Sequence, residues 1–187
     1  MIKQIETPNL ILRKARKEDL EDIYNNVWKD EELTKNMFWE ASKSLEEAKD
    51  RLDRTIKYHQ ENDAFFVTLK ETGEVIGFAG VNQKDIGVFE DSGVCICQKQ
   101  QQKGYGKELL RGLEKLVFDG YKGQRMYYSC FYNNEASRKV CMSQGFNFYM
   151  SVPKIRPRDG YRVQVDYYYL DADDYVKDDN IVLIEGD

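Results

Sequence analysis

The sequence predicts an α/β (α+β) domain built on a single twisted sheet of about seven strands, with helices on both faces. Three observations carry this. Short runs rich in β-branched and aromatic residues recur from Leu10 to Leu170, some joined by turn signals and others by stretches of helical periodicity. Their order is mixed, since four strands surround two early helices and two strand–helix units follow, which one sheet covered on both faces accommodates. A chain of 187 residues is also long enough for one full core and too short for two comfortable ones, and it contains no internal repeat.

Leu10, Ile11, Leu12 and Ala15 make the first strand, entered through Pro8. Residues 17–28 then predict a helix with Leu20, Ile23, Tyr24 and Val27 on one side, at spacings of three and four. The stretch 30–41 is irregular. Its Leu33, Met37, Phe38 and Trp39 read first as a flap covering the core and second as the lining of a substrate cleft. Ser44 opens the next helix with Glu47 completing a capping box, and Leu45, Ala48, Leu52 and Ile56 define its buried stripe. His59, the only histidine, continues that stripe. It is expected to close the apolar face at the helix end, where a positive charge would suit the helix dipole, rather than to act as a general base.

Residues 64–69 and 74–81 flank Lys70-Glu71-Thr72-Gly73 as a hairpin, and Gly77 and Gly80 in its second strand imply close approach of a helix or a ligand. A polar connection leads to Glu90-Asp91-Ser92-Gly93 and a strand through residues 94–97. There the chain changes character. A polar loop, two glycines (Gly104 and Gly106) in one turn, and an apolar-periodic helix follow. Such a turn presents unpaired N–H groups at the positive end of a helix, a natural seat for a phosphate, and Lys99, Lys103 and Lys107 surround it with positive charge. A plain strand-to-helix turn reads the same spacing equally well. Gly120 and Gly123 end this helix, 125–130 is the next strand, and Asn133-Asn134-Glu135-Ala136-Ser137 opens a further helix that stops at Gly145 with Val140 and Cys141 inward. Residues 146–152 and 162–170 pair as a terminal hairpin across 153–160.

Charge and cysteine usage exclude several classes. The formal net charge is −5, but residues 171–187 alone carry −6, so the body at 1–170 sums to +1. The two are read as a domain and an acidic tail, the tail either frayed or docked through its apolar residues 181–184 on the body or on a partner subunit. This balance argues against direct nucleic-acid binding. Glu6 and Arg13 interrupt any leader pattern, and no stretch has the length of a membrane span, so a cytoplasmic protein with no membrane partner is expected. Cys95, Cys97, Cys130 and Cys141 lie in apolar sequence as free thiols. No metal is expected, because Cys95-x-Cys97 is too tight for a zinc knuckle and no histidine lies nearby. A dinucleotide fold of the Rossmann type would need its glycines after the first strand and a third glycine beyond Lys107.

Gln101-x-x-Gly104-x-Gly106 resembles the acyl-CoA-binding signature of the GNAT superfamily of N-acetyltransferases. With Asp91, Gly93 and Val94 before it and Asn134-Glu-Ala-Ser137 and Gln144-Gly145-Phe146 after it, the chain resembles the branch that contains the ribosomal-protein N-terminal (alanine/serine) acetyltransferases, from about Asn9 to Leu170. The resemblance implies a mixed, mostly antiparallel sheet and an acetyl group moved from acetyl-CoA, as co-substrate, to a primary amine by direct attack in a ternary complex. The acceptor would be a small molecule or a protein N-terminus, and a homodimer is compatible with the branch.

The resemblance also implies site residues. Val94, Cys95, Ile96 and Cys97 would meet the pantetheine and the thioester oxygen through main-chain atoms exposed by a bulge. Gln101, Lys103, Gly104 and Gly106 would hold the pyrophosphate through their amides, with Gln102, Tyr105, Lys107 and Ser137 in the same cofactor-binding set. Asn134 would contact the pantetheine or position the acceptor, and Asp91, through a water, would take the amine proton, with Glu90 as its rival. Strand alternation should place only one of those two acids on the cleft. Two departures stand out. Cys141 occupies the place where the superfamily often has a proton-donating tyrosine, and Asp91 stands where the branch often has glutamate. Cys141 is expected to be a packed residue rather than a nucleophile. A non-catalytic acyl-CoA-binding or regulatory protein with the same fold is the alternative.

Overall fold

Nine strands form one mixed sheet in the computed structural model, which describes residues 2–186. They are β1 (Ile2–Glu6), β2 (Leu10–Arg13), β3 (Asp63–Leu69), β4 (Val75–Asp85), β5 (Val88–Ile96), β6 (Arg125–Phe131), β7 (Asn147–Ile155), β8 (Arg162–Asp171) and β9 (Val182–Glu185). Their order across the sheet is β7-β8-β6-β5-β4-β3-β2-β1-β9, and every pairing is antiparallel except β5 with β6.

The expected count of about seven strands is corrected to nine, because β1 and β9 carry no readable alternation. In β1 the buried residues Ile2 and Ile5 are three apart, and a register irregularity between Ile2 and Gln4 resets the pleat. β9 pairs with β1, so the acidic segment is docked on the body. Ile181 is buried, Tyr175 stacks on Phe118 at 4.9 Å, and the Lys115 ammonium donates to the Asp178 carbonyl at 2.9 Å.

The helices are α1 (Leu20–Ile23), running on as a π-helical turn Tyr24–Trp28, then α2 (Glu31–Thr34), α3 (Leu45–Glu61), α4 (Tyr105–Lys115), which runs on through Leu116–Gly120, and α5 (Glu135–Met142). Residues 30–41 are thus partly helical rather than wholly irregular, and Asp30 caps α2 by accepting from the Leu33 N–H. Ser44 caps α3 in the same way, with Glu47 reaching back to the Lys43 N–H. Leu45 is a correction to the α3 stripe. It is exposed, and the buried face consists of Ala48, Leu52 and His59.

Sheet alternation divides the core between two layers. Phe66 meets Trp28 and the His59 ring on the α3 side. Leu12, paired with Val67 and therefore facing the other way, lies against α4 at Gly112. Leu109, Leu110, Leu113 and Leu116, fully buried on one face of α4, hold that helix flat on the sheet and fix where its first turn lies.

Candidate active site

The site begins with a fault in the sheet. In the β4–β5 ladder Ala79 pairs with Val94 and Val81 with Asp91, so Ser92 and Gly93 face Gly80 alone. This is a bulge, with Gly93 at φ +119°. Close approach demands the facing glycines. A Cβ on Gly80 would lie 2.4 Å from Ser92 Oγ and 2.8 Å from the Asp63 carbonyl, and one on Gly77 would lie 2.0 Å from the Cys95 carbonyl. On its other side β5 pairs with β6 only from Val88 to Glu90. Past that point the two parallel strands part, and the edge of β5 from Asp91 onward has no ladder.

Asp91 sits at the fork. Its Oδ1 accepts from the Ser129 N–H at 2.7 Å and from the Ser129 hydroxyl at 3.3 Å, and its Oδ2 accepts from the Gly93 N–H at 3.2 Å. The carboxylate therefore replaces the missing rungs and holds the bulge at the same time. Desolvation pushes its pKa up to about 7, with Glu90 adding to the rise and the two N–H groups opposing it. Glu90 and Asp91, consecutive on β5, both belong to the cleft lining. Their carboxylates part, however, Glu90 pairing with Lys84 at 3.3 Å and Asp91 turning to Ser129.

Two cavities open from the fork. The first, ≈ 320 Å³, is walled by Glu90, Asp91, Ser129, Cys130 and Lys154 and roofed by residues 36–39. Phe38 is fixed there edge-on to Phe131 at 5.0 Å, so the aromatic flap covers the core and lines a cleft at once. The second, ≈ 500 Å³, runs from Val94, Cys95 and Ile96 past Gln101 and Gln102 to Gly104, Gly106 and Lys107, with Ala136, Ser137 and Val140 opposite. Val94, Tyr128, Asn134 and Ser137 wall both cavities.

The glycine loop closes the second cavity. Gln102 and Gly104 have positive φ, +63° and +87°, and Gly104 starts α4. The backbone N–H groups of residues 102–106 have no partner among the described residues, while Lys107 and Glu108 already donate to the Gly104 carbonyl. A Cβ on Gly104 would meet nothing within 4 Å. The loop is an open nest of amides at the positive end of a helix.

Some expected contacts fall elsewhere. Cys97 is buried and its N–H donates to the Ile76 carbonyl, so it does not line the cavity. The Gln101 N–H is used within the loop, and its side chain donates to the Ile96 carbonyl at 2.9 Å, tying loop to strand. The Lys103 and Tyr105 side chains do not line the cavity, and Lys103 reaches Gln100 instead. Asn134 stays in the lining of both cavities while its Oδ1 caps α5 by accepting from the Ser137 N–H. Tyr128 is a site residue that the sequence pattern does not single out. Its hydroxyl, delivered by β6, lies 2.7 Å from Ser137 Oγ at the junction of the two cavities, and burial drives its pKa far up. A tyrosine hydroxyl thus reaches the site from a strand rather than from the Cys141 position on α5, and only the sheet pairing reveals it.

His59 and Cys141 stand outside this chemistry. The His59 Nδ1 accepts from the Ala15 N–H at 3.1 Å, and burial, then Lys14, hold its pKa down at about 4. It is neutral, so the positive charge expected from the helix dipole is corrected. Its folded pKa lies below the unfolded value near 6.5, so the unfolded chain takes the proton first. The contribution of His59 to stability is therefore lost as pH falls from about 6.5 to about 4, by on the order of 3 kcal/mol. His59→Gln should lower stability at neutral pH and flatten that acid limb in pH-dependent urea melts, with turnover near normal. A hundredfold loss of turnover in a folded variant would make it catalytic instead. The Cys141 thiol is fully buried, donates to the Arg138 carbonyl at 3.2 Å, and is pushed up to about 12 by burial, the opposite of an activated nucleophile.

Among the described residues no group of three or more His, Cys, Asp or Glu is gathered to hold a metal ion, and no helix is long and apolar enough to cross a membrane.

The acetyltransferase (GNAT) domain family model matches residues 9–147. The fold is similar to that of a GNAT-family acetyltransferase from Bacillus anthracis (TM-score 0.79, 19% identity, 91% of this chain and 99% of that one). It is similar also to RimL, a ribosomal L7/L12 alpha-N-protein acetyltransferase (0.75, 20%, 91% and 95%). A third similar structure is the microcin C7 self-immunity acetyltransferase MccE in complex with acetyl-CoA and AMP (0.76, 17%, 88% and 93%). No curated protein sequence matches the chain significantly.

Proposed function

The chain belongs to the GNAT acetyltransferase family, and on that premise we propose that it transfers an acetyl group from acetyl-CoA to a primary amine by direct attack in a ternary complex. The observation that carries this is the continuity of the site. An open nest of five unpaired amides at the start of α4 leads through one cavity to the unladdered edge of β5, and from there to a carboxylate with a pKa near neutrality. The nest suits a pyrophosphate, and residues 94–96 suit the pantetheine and the thioester. The amine binds in the cavity walled by Asp91, which attracts it as a cation and takes its proton, directly or through a water. The Ser137–Tyr128 hydroxyl pair faces the leaving sulfur. Because the Tyr128 pKa is far up, the pair acts by donating a hydrogen bond, not by surrendering the tyrosine proton.

An α-amine or a small-molecule amine fits, and we place the reaction in the cytoplasm, consistent with four buried free thiols. A homodimer would use the exposed edge strand β7, where Phe148, Met150 and Ile155 face solvent, and sedimentation tests that arrangement.

Calorimetry with acetyl-CoA, followed by mass spectrometry of acetylated products across an amine panel, tests the proposal. Absence of acetyl-CoA binding overturns it. One observation favours the second reading, a non-catalytic acyl-CoA-binding protein. Both Asp91 oxygens already accept hydrogen bonds, as a purely structural carboxylate would. Tight binding with no turnover on any amine would select that reading. In either case Cys141→Ala should keep most function, and protein quenched with acetyl-CoA alone should show no acetyl group on Cys141. Stoichiometric, kinetically competent acetylation there would replace direct attack with a two-step transfer.

A further inference from the structure

A further cavity, of ≈ 160 Å³, adjoins the acceptor cavity. Trp39, Phe78, Ser92 and Gly93 wall both, and α3 lines the further one with Arg51, Thr55 and Tyr58. Arg51 is the charged group of that inner space. Its guanidinium carbon lies 4.5 Å from the Trp28 ring centre and 4.4 Å from that of Trp39, so the cation rests against two indoles. One N–H donates to the Glu40 carbonyl at 3.3 Å, and no carboxylate pairs with Arg51 among the described residues. Burial lowers its pKa to about 10 while Glu47, one turn earlier, raises it, so it remains a cation at neutral pH. The Trp39 indole N–H is buried with no partner. Glu40, Glu47 and Arg54 belong to a shallower groove beyond Arg51, not to the inner cavity.

A rigid, partly desolvated arginine fork with unpaired donors, beside an orphaned indole N–H, asks for an anion of planar, bidentate shape. We propose that the acceptor is an amine carrying a carboxylate a short chain away, its amine at Asp91 and its carboxylate on Arg51 with the Trp39 N–H as a further donor. The inference rests on the acetyltransferase reading above and narrows its substrate class. The two charges of such an acceptor would meet opposite charges in two adjoining cavities that share Trp39, Phe78, Ser92 and Gly93 as walls. A neutral isostere would leave the Arg51 and Trp39 donors unpaired, which is how polar sites discriminate most strongly.

Bisubstrate analogues test this even while the natural acceptor is unidentified. CoA joined through an acetyl bridge to the amine of Glu-Ala-amide, Gln-Ala-amide, Ala-Glu-amide or Ala-Gln-amide would be titrated calorimetrically against the full chain, beside CoA alone. At least one glutamate conjugate should bind about tenfold or more tightly than its glutamine partner, the scale of a hydrogen-bonded charge pair. Arg51→Gln should erase that difference, and Arg51→Lys should restore part of it. Equal affinities of both pairs for the wild-type chain, with CoA bound, overturn the inference and leave the proposed function standing. Failure of CoA and every conjugate to bind overturns the proposed function and this inference with it. The wild-type comparison decides even if the indole stack makes Arg51→Gln unstable.

Discussion

Gly104→Val should bind acetyl-CoA at least about a hundredfold more weakly while remaining folded. Two physical effects point the same way. Gly104 sits at φ +87°, where a β-branched residue is strained, so the loop would relax and turn its amides away from a common focus. The new side chain would also project into the open space in front of the nest, where nothing of the protein lies within 4 Å. Losing two charge-assisted amide contacts at ~1.5–3 kcal/mol each is enough for that loss. The same open space is why the fold survives. No clash is created, and the strain of about 1–2 kcal/mol should lower Tm by only a few degrees in a chain of this size. Calorimetry beside a thermal melt checks both halves, and unchanged affinity in a folded variant would sink the assignment of the loop.

Asp91→Asn should reduce turnover about a hundredfold near pH 7, the low end of general-base assistance. With a pKa of about 7, Asp91 is half ionised at neutral pH, so the wild-type rate should rise through that pH and then level. The variant can use only amine that is already neutral, which for an α-amine becomes abundant above ~8, so its deficit should shrink with rising pH. Asparagine also disturbs structure. It can still accept from the Ser129 N–H, but its amide group opposes the Gly93 N–H. A merely structural loss would be independent of pH, and that outcome would end the case for Asp91 as base. Stability offers a second reading with a definite sign. The folded pKa is raised above the ordinary value of 3.8, so the folded state holds the proton more tightly. The contribution of Asp91 to stability therefore falls as pH rises from about 4 to about 7, opposite in sign to that of His59 over nearly the same window. The variant should lack this contribution, so its melts compared with wild type at each pH isolate it.

Much of the binding loop was legible because its physics is local. Positive φ at Gly104, the unpaired first turn of α4 and the surrounding lysines are consequences of neighbouring residues, which stand together in the chain. Capping at Ser44 and Asn134 was readable for the same reason, since a cap bonds within three residues of itself. His59 was readable as packing from helical spacing alone, but not as neutral, because its proton is set by Ala15 and Lys14 from another part of the fold.

The catalytic half of the site was decided elsewhere. A bulge exists only relative to a partner strand, and it takes Gly80 of β4 facing Ser92 and Gly93 of β5 to make one. The fork exists because β6 stays beside β5 for three residues and then leaves, which brings Ser129 to Asp91 and Tyr128 to Ser137 across intervening sequence. β1, invisible as an alternating pattern, becomes a strand between β2 and β9, and β9 does so by pairing with β1. The sequence by itself therefore determined the family and the layered α/β plan, through local patterns and their order along the chain, and the amide nest, through neighbours within a few residues. The tertiary structure alone decided the nine-stranded sheet, the pKa of Asp91, the hydroxyl beside Ser137 and the arginine resting against two indoles, because desolvation and long-range pairing depend on which distant residues arrive at the same place.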